Sequence, residues 1–367
     1  MICTTARVQA LNSITGFEQV SHIALWTAQI ILFTTLAIFT LIGLLRARLN
    51  FREERAAALI SVWRPVLAAA AFSQGSTRSA VLPTVKKRDI VLFLRQWSAV
   101  QETVSGDASI RLNGLARRLQ LDEVALKLLD HRRISMRLLA TVVLGHMRVA
   151  EAWLPVWKDL DSQNTLVSLV SANALTQICP SRAIPELIAR IPVRHDWPAD
   201  RIASILAAAD PHNSEEPFKS ALLEATPNPQ HTISLLKFVP IFASPSIDEL
   251  VTKILINASD PSLIAACLRV LSNPAQLPFA RKLVTHDEWY VRVLAIRFLG
   301  QTGTVDDTKR VVRALMDEEW WVRYRAAQAL CHFPWIDLKG LRKIQQEQSD
   351  DFARDILEQA ISEAKFE

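Results

Sequence analysis

The stretch DEEWWVRYRAAQAL, Asp317 to Leu330, is written nearly twice in this chain. The stretch HDEWYVRVLAIRFL, His286 to Leu299, precedes it with the skeleton Glu-Trp-aromatic-Val-Arg-x-x-Ala-x-x-x-Leu, at an offset of 31 residues. Self-similarity at a fixed period of about 20–50 residues is the signature of repeat architectures. The pair therefore decides which fold class has to be considered first.

Further copies of the repeat lie upstream. The frame Val-Arg-x-x-Ala-x-x-Ala-Leu begins at Val322 and at Val291, and it recurs at Met136, five periods before Val291. A neighbouring copy begins at Val167, and a degenerate copy lies in Asp260 to Leu271. The period is thus kept along much of the chain while the residue types change.

Each copy predicts a helix, because apolar residues at i, i+4 and i+8 line one helical face. Shorter amphipathic segments lie between the copies, for example Thr308 to Met316 and Pro180 to Ile191, and proline marks the connections. The sequence shows no long alternation of polarity that would indicate a sheet. We therefore predict an all-α fold, an α-solenoid of stacked helical hairpins.

The segment from Ile23 to Leu45 contains 23 residues without a charge. That length matches a helix crossing a hydrocarbon core of about 30 Å, so we predict one transmembrane helix. A cleaved signal peptide is the alternative, but the apolar run is longer than a typical signal core and no small-x-small cleavage site closes it. The four cysteines form no CxxC pair, which indicates neither a zinc site nor a disulfide framework.

Charge is unevenly distributed around this segment. Five arginines follow it closely, Arg46, Arg48, Arg52, Arg55 and Arg64, whereas Arg7 alone precedes it, so the C-terminal side is predicted to be cytoplasmic. Residues 46–150 hold 18 lysines and arginines against 8 acidic residues, and residues 151–367 hold 23 against 28. The basic half is expected to contact anionic lipid. A solvated basic face and nucleic-acid binding are the alternatives.

The predicted organisation follows the chain in five parts. They are a short extracytoplasmic tail at 1–22, the transmembrane helix at 23–45, basic juxtamembrane helices with a linker and an N-terminal cap at 46–120, the repeat solenoid at 121–348 and a C-terminal capping helix at 349–367. Within the third part, Gln74 to Thr84 is predicted to be a flexible linker, and Arg88 to Leu119 a helical hairpin turning at Gly106-Asp107. The membrane helix could continue past residue 45 and bend at Pro65.

The skeleton DEEWWVRYRAAQAL resembles the HEAT repeat, in the short form of about 30 residues that is named after phycobilin lyases. The resemblance covers Trp289 to Gly300 and Trp320 to Leu330 most specifically, and it is weak from Pro192 to Ser259. With its membrane segment, the chain also resembles bacterial HEAT-repeat proteins anchored in the inner membrane. Some of those accompany envelope glycosyltransferases, which implies a protein partner at the membrane.

HEAT-like repeats also occur in enzymes, so catalytic activity is an alternative function. The sequence lacks the His-Glu pairs by which deoxyhypusine hydroxylase binds iron, and it contains no HExxH, GxSxG or P-loop pattern. We therefore expect no enzymatic activity, no catalytic residues, no bound metal and no cofactor. A lyase-type enzyme remains the alternative.

Aromatic residues near the C-terminus are the candidate binding site. Aromatic and arginine side chains are enriched in interface hot spots, and six such residues are predicted to contact a partner: Trp321, Tyr324, Arg325, Tyr290, Trp289 and Trp320. The structural alternative is that Trp289 and Trp320 pack on the neighbouring repeat, while Arg292 and Arg323 pair with neighbouring acidic residues. The sequence thus predicts a membrane-anchored interaction scaffold, with its solenoid in the cytoplasm.

Overall fold

The computed structural model of the protein describes residues 2–72, 83–86, 88–209 and 211–364. These residues form α-helices joined by turns and short 3-10 helices, and the described part of the chain contains no β-strand. The chain divides into two compact units, Met1–Leu119 and Gln120–Glu367. The predicted all-α class is confirmed.

The described residues of the first unit form three helices: α1 (Ile2–Phe72), α2 (Ile90–Thr103) and α3 (Asp107–Arg118). Helix α1 is continuous, so residues 2–22 of the predicted tail, the predicted span at 23–45 and Pro65 all belong to one helix. Most of the predicted linker, Gln74 to Thr84, lies outside the described residues. The predicted hairpin is present, because α2 and α3 are joined by the turn at Gly106.

Helix α1 is long and apolar enough to cross a membrane. A window of 18 residues within Ile31–Phe72 has a mean hydropathy of 1.7, and none of that window is buried by protein. Its exposed side chains include Phe33, Leu36 and Phe39. Length and composition thus identify one candidate membrane span among the described residues.

The C-terminal end of α1 packs against the hairpin that follows it. The rings of Trp63 and Phe93 lie 4.5 Å apart, and Trp97 is buried beside them. The guanidinium of Arg111 on α3 donates from Nη2 to the carbonyl oxygen of Ala71 at 2.6 Å. This bond occupies one of the carbonyls that every helix end leaves without an intrahelical partner.

The second unit is an array of helices, listed here in chain order. They are α4 (Leu121–Leu129), α5 (Ile134–Met147), α6 (Trp153–Leu160), α7 (Thr165–Ile178), α8 (Pro180–Arg190), α9 (Ala199–Ala208), α10 (Pro211–Ala225), α11 (Pro229–Leu236), α12 (Val239–Phe242), α13 (Pro245–Asn257), α14 (Pro261–Val270), α15 (Leu277–Leu283), α16 (Trp289–Thr302), α17 (Thr308–Arg313), α18 (Trp320–His332), α19 (Leu338–Glu347) and α20 (Asp351–Glu363).

The helices of this array pair as hairpins, and one helix of each hairpin stacks on its equivalent in the next. Helix α15 pairs with α16, α17 with α18 and α19 with α20, while α14, α16, α18 and α20 contact one another in succession. The frame residues fill the contacts, since Val291, Ala295 and Leu299 are all buried. The predicted solenoid of helical hairpins is confirmed.

The repeat register extends to two helices that the sequence analysis did not include. Adding 31 residues to the frame at Val322 places Ala353, Leu357 and Ile361 of α20 at core positions, and all three are buried. The same step from α7 places Ile202 and Leu206 of α9 in the core. Helix α20, predicted as a cap at 349–367, therefore also completes a repeat with α19.

Two glycines allow unusually close stacking of successive helices. A Cβ atom on Gly145 would lie 2.8 Å from Ala174 Cα, and one on Gly300 would lie 2.8 Å from Ala329 Cβ. Both distances are shorter than ordinary van der Waals contact. Because Gly145 and Gly300 occupy the same position of the repeat frame, α5–α7 and α16–α18 are packed in the same way.

Candidate partner-binding surface

An aromatic side chain precedes the frame in each of the last three hairpins. Tyr290 of α16, Trp321 of α18 and Phe352 of α20 follow one another at intervals of 31 residues. Trp321 is 56% exposed and Phe352 is 70% exposed, whereas Tyr290 is half-buried. We call these three residues the aromatic row. Large exposed aromatic side chains at matching places on stacked helices are typical of an interaction surface.

The tryptophans beside this row are held in fixed positions. The ring of Trp320 stacks on Tyr324 with centroids 5.0 Å apart and meets Trp321 edge to face at 4.7 Å. The hydroxyl of Tyr324 donates to Glu363 on α20 at 2.7 Å, and this hydrogen bond raises the pKa of the tyrosine. Trp289 meets the ring of Tyr290 edge to face at 5.9 Å. Ring geometries of this kind are the preferred ones, so the cluster is pre-organised.

Arg292 and Arg323 occupy equivalent positions in successive hairpins, and we call them the arginine ladder. Of the two, only Arg292 pairs with a described acidic residue of the next hairpin. Arg292 donates to both carboxylate oxygens of Asp317, at 2.8 and 2.6 Å, and to the carbonyl oxygens of two residues in its own repeat. Arg323 makes the equivalent backbone bonds, yet its buried Nε has no partner among the described residues. Gln348 occupies the position 31 residues after Asp317. The expected pairing with an acidic residue is therefore right for Arg292 and wrong for Arg323.

A second row consists of arginines. Arg269 of α14, Arg297 of α16 and Arg325 of α18 follow one another at intervals of 28 residues, and we call them the arginine row. Arg297 is half-buried, its Nη2 donates to the carbonyl oxygen of Arg269 at 3.0 Å, and its buried Nε has no partner. Burial lowers the pKa of Arg297, and the charges of Arg325 and Arg269 lower it further. No ion pair to any of the three exists among the described residues.

The six residues predicted to bind a partner lie on two neighbouring helices of this surface. Trp289 and Tyr290 are in the first turn of α16, and the other four are in the first two turns of α18. Phe352, Arg269 and Arg297 are not among the residues predicted from the sequence. The 31-residue offset from Trp321 would have identified Phe352, and the 28-residue spacing from Arg325 would have identified the two arginines.

Metal ligands and reactive thiols are the groups from which a catalytic centre could be built. Within residues 2–72, 83–86, 88–209 and 211–364, excluding the side chains that are not described, no three His, Cys, Asp or Glu side chains group as metal ligands. The largest pKa change of a thiol is that of Cys267, which burial raises to about 12. Such a thiol is protonated at neutral pH, whereas the thiolate is the nucleophilic form.

Comparisons with known proteins concern the fold. The family model of HEAT repeats matches residues 249–331, and no curated protein matches the sequence. An engineered protein of solved structure is similar at 14% identity and a TM-score of 0.35, over 81% of this chain and 87% of that one. The complex of CpcE and CpcF of phycocyanin lyase from Nostoc sp. PCC7120 is similar at 15% identity and a TM-score of 0.31, over 65% and 94%.

Kap121p is similar at 11% identity and a TM-score of 0.39, over 83% of this chain. The alignment spans 45% of Kap121p, which is therefore much the longer protein. Helices α14 and α16 and all but the last residue of α18, which carry the arginine row, lie within residues 249–331. Residues 249–331 are therefore similar to HEAT repeats, and this range includes Arg292, Asp317 and the three arginines of the arginine row.

Proposed function

We propose that this protein is a membrane-anchored adaptor whose HEAT repeats hold a protein partner at a bacterial inner membrane. The observation that carries the proposal is the aromatic row on α16, α18 and α20. Stacked repeats present extended surfaces to which partners bind. The exposed apolar area of Trp321 and Phe352 would be removed from water by such a partner, at about 25 cal/mol per Å².

The membrane part of the proposal rests on α1. Its exposed apolar side chains have no protein to cover them in the described structure, and a bilayer would do so. Four arginines that follow the apolar stretch are exposed: Arg46, Arg48, Arg55 and Arg64. Under the positive-inside rule these arginines support a topology with the N-terminus outside and the repeats in the cytoplasm, which is part of the proposal. Contact of residues 46–150 with anionic lipid is part of the same proposal.

The partner is proposed to be a membrane-associated protein, with an envelope-polysaccharide glycosyltransferase as one candidate. The protein is proposed to act by binding it, with neither catalysis nor nucleic-acid binding of its own. The pre-organised cluster of Trp320, Trp321 and Tyr324 supports this role, because rigid aromatic side chains lose little conformational entropy on binding.

The experiment is affinity purification of the full-length protein from crosslinked native membranes, followed by mass spectrometry. The parent is compared with the double variant Trp321→Ala/Arg325→Ala. We expect a specific membrane protein to be recovered with the parent and lost with the variant.

The matched control is Leu166→Ala. Leu166 is 58% exposed at the frame position of Trp321, but on α7 at the other end of the array. This variant should recover the partner. Equal recovery by all three proteins would show that the surface is misplaced, and recovery of no partner by the parent would contradict the adaptor function.

A further inference from the structure

The arginine row has no internal counter-charge. Arg297 uses one of its five N–H groups on a backbone carbonyl, and its Nε is buried without an acceptor. A buried donor without a partner is costly, and the cost is greatest for charged groups. Arg292 on the same helix differs, because its guanidinium donates to both carboxylate oxygens of Asp317. The arginine row therefore lacks the anionic group that its neighbour has.

Arg325 departs from the repeat in a way that packing does not explain. The residues at the same frame position in the adjacent hairpins are Leu294 and Ile356, and both are buried. Arg325 is half-buried and forms no ion pair with a described residue. A third cation has thus replaced a core-type residue beside Arg297, which adds charge repulsion to the fold.

The spacing of the row indicates the form of the missing anion. Packed helices lie about 8–10 Å apart, so arginines carried by three successive helices follow one another at about the interval between the helix axes. A polyproline II chain rises about 3.1 Å per residue and turns once in three residues. Every third side chain of such a segment lies on one face, at intervals of about 9 Å.

We infer that the arginine row binds an extended acidic segment of the protein partner, in polyproline II conformation, with a carboxylate at every third residue. The aromatic side chains beside Arg325, Trp321 and Tyr324, would contact the proline rings between the carboxylates, as aromatic-lined grooves do. The inference rests on the proposed function, since it names the chemistry of the partner segment that this surface binds.

The test is fluorescence anisotropy with the full-length protein in detergent micelles. The probe is a labelled peptide in which three glutamates are separated by two prolines each, and the comparison peptide has the same composition with the glutamates adjacent. We expect the spaced peptide to bind at least about tenfold more tightly, because charge-assisted bonds to all three arginines need that spacing. Its Kd should rise with salt concentration.

Two variants locate the binding to the row. Arg297→Gln and Arg325→Leu should each weaken the spaced peptide by about tenfold or more. Leucine is the residue that the adjacent repeat has at this position, so Arg325→Leu should fold, which thermal unfolding checks. The control Arg313→Gln removes an exposed arginine of α17 and should leave the Kd unchanged.

Three outcomes would overturn the inference. They are equal binding of the two peptides, unchanged binding by both row variants, and binding of single-stranded polyuridine RNA as tight as that of the spaced peptide with the same arginine dependence. If the peptide fails while membrane crosslinking still recovers a partner that Trp321→Ala/Arg325→Ala loses, the adaptor function stands and only the acidic segment is refuted.

Discussion

Replacing Asp317 by asparagine tests how the last hairpins are held together. The carboxylate bridges α16 and α18 by accepting two bonds from Arg292, and the side chains of the pair are 14% and 15% exposed. Asparagine keeps one acceptor oxygen, so the hydrogen bond from the backbone N–H of Glu319 can persist. The variant loses the charge and one of the two bonds from Arg292.

The expected loss lies between two limits. Exposed ion pairs contribute about 0–1 kcal/mol, whereas removal of one partner from a fully buried pair costs about 3–5 kcal/mol. A pair exposed by about a seventh, with one acceptor retained, should lose about 2 kcal/mol. In a repeat array the loss acts at one interface, and the hairpins beyond it unfold more often.

Hydrogen–deuterium exchange of the full-length protein measures this local effect. A loss of about 2 kcal/mol should raise amide exchange in α18 and α20 by about 30-fold, with α5 and α7 unchanged. The matched control is Asp161→Asn, which breaks a bidentate pair to Arg190 whose carboxylate is 63% exposed. It should change exchange nearby by less than about fivefold. A smaller effect at Asp317 than at Asp161 would refute the reasoning.

Three further predictions follow from the same structure. Gln348→Asp should give Arg323 the carboxylate that it lacks and raise the free energy of unfolding of the C-terminal hairpins by about 1 kcal/mol, measured by urea denaturation. An unchanged free energy of unfolding would contradict this prediction. Burial alone would raise the pKa of Asp307, but hydrogen bonds from Arg281 and Thr304 outweigh it and the pKa is lowered. Its stabilisation is therefore present above about pH 4 and lost as the pH falls through the folded pKa, and an acid titration of Asp307→Asn should show a flatter decline. Cys267 should resist alkylation at pH 8 until denaturant is added, because burial raises its pKa to about 12.

The array was predictable wherever the repeat keeps its residue types. The helices at Val291 and Val322 were found because valine, arginine and alanine recur in register, and alanine there permits close stacking. At α20 the positions of Val322 and Ala326 hold Ala353 and Leu357, so a smaller side chain is followed by a larger one, and both remain buried. Such exchanges leave the packing intact but remove the residue-by-residue match, so the sequence predicts only a capping helix there.

The site was predictable only in part, because exposure depends on neighbouring helices. Trp321 and Arg325 are among the six residues predicted from the sequence, and in the structure Trp321 is exposed and Arg325 is half-buried. Arg269 and Arg297 occupy the same frame position, because the copy on α14 begins 28 residues before the copy on α16. Arg325 lies three residues earlier in the frame of α18, so the repeat period does not align the whole row. That Arg323 lacks an acidic partner follows from Gln348 in the next hairpin, a position outside the quoted repeat.

The close packing at Gly300 affects the spacing of the arginines on the surface of the array. A methyl group there would meet Ala329 and push α18 away from α16, and Arg297 and Arg325 sit on those two helices. The interval between the two cations therefore depends on the absence of a Cβ atom at residue 300. If the row recognises the distance between carboxylates of a ligand, then Gly300→Ala should change the preferred distance without altering any arginine of the row.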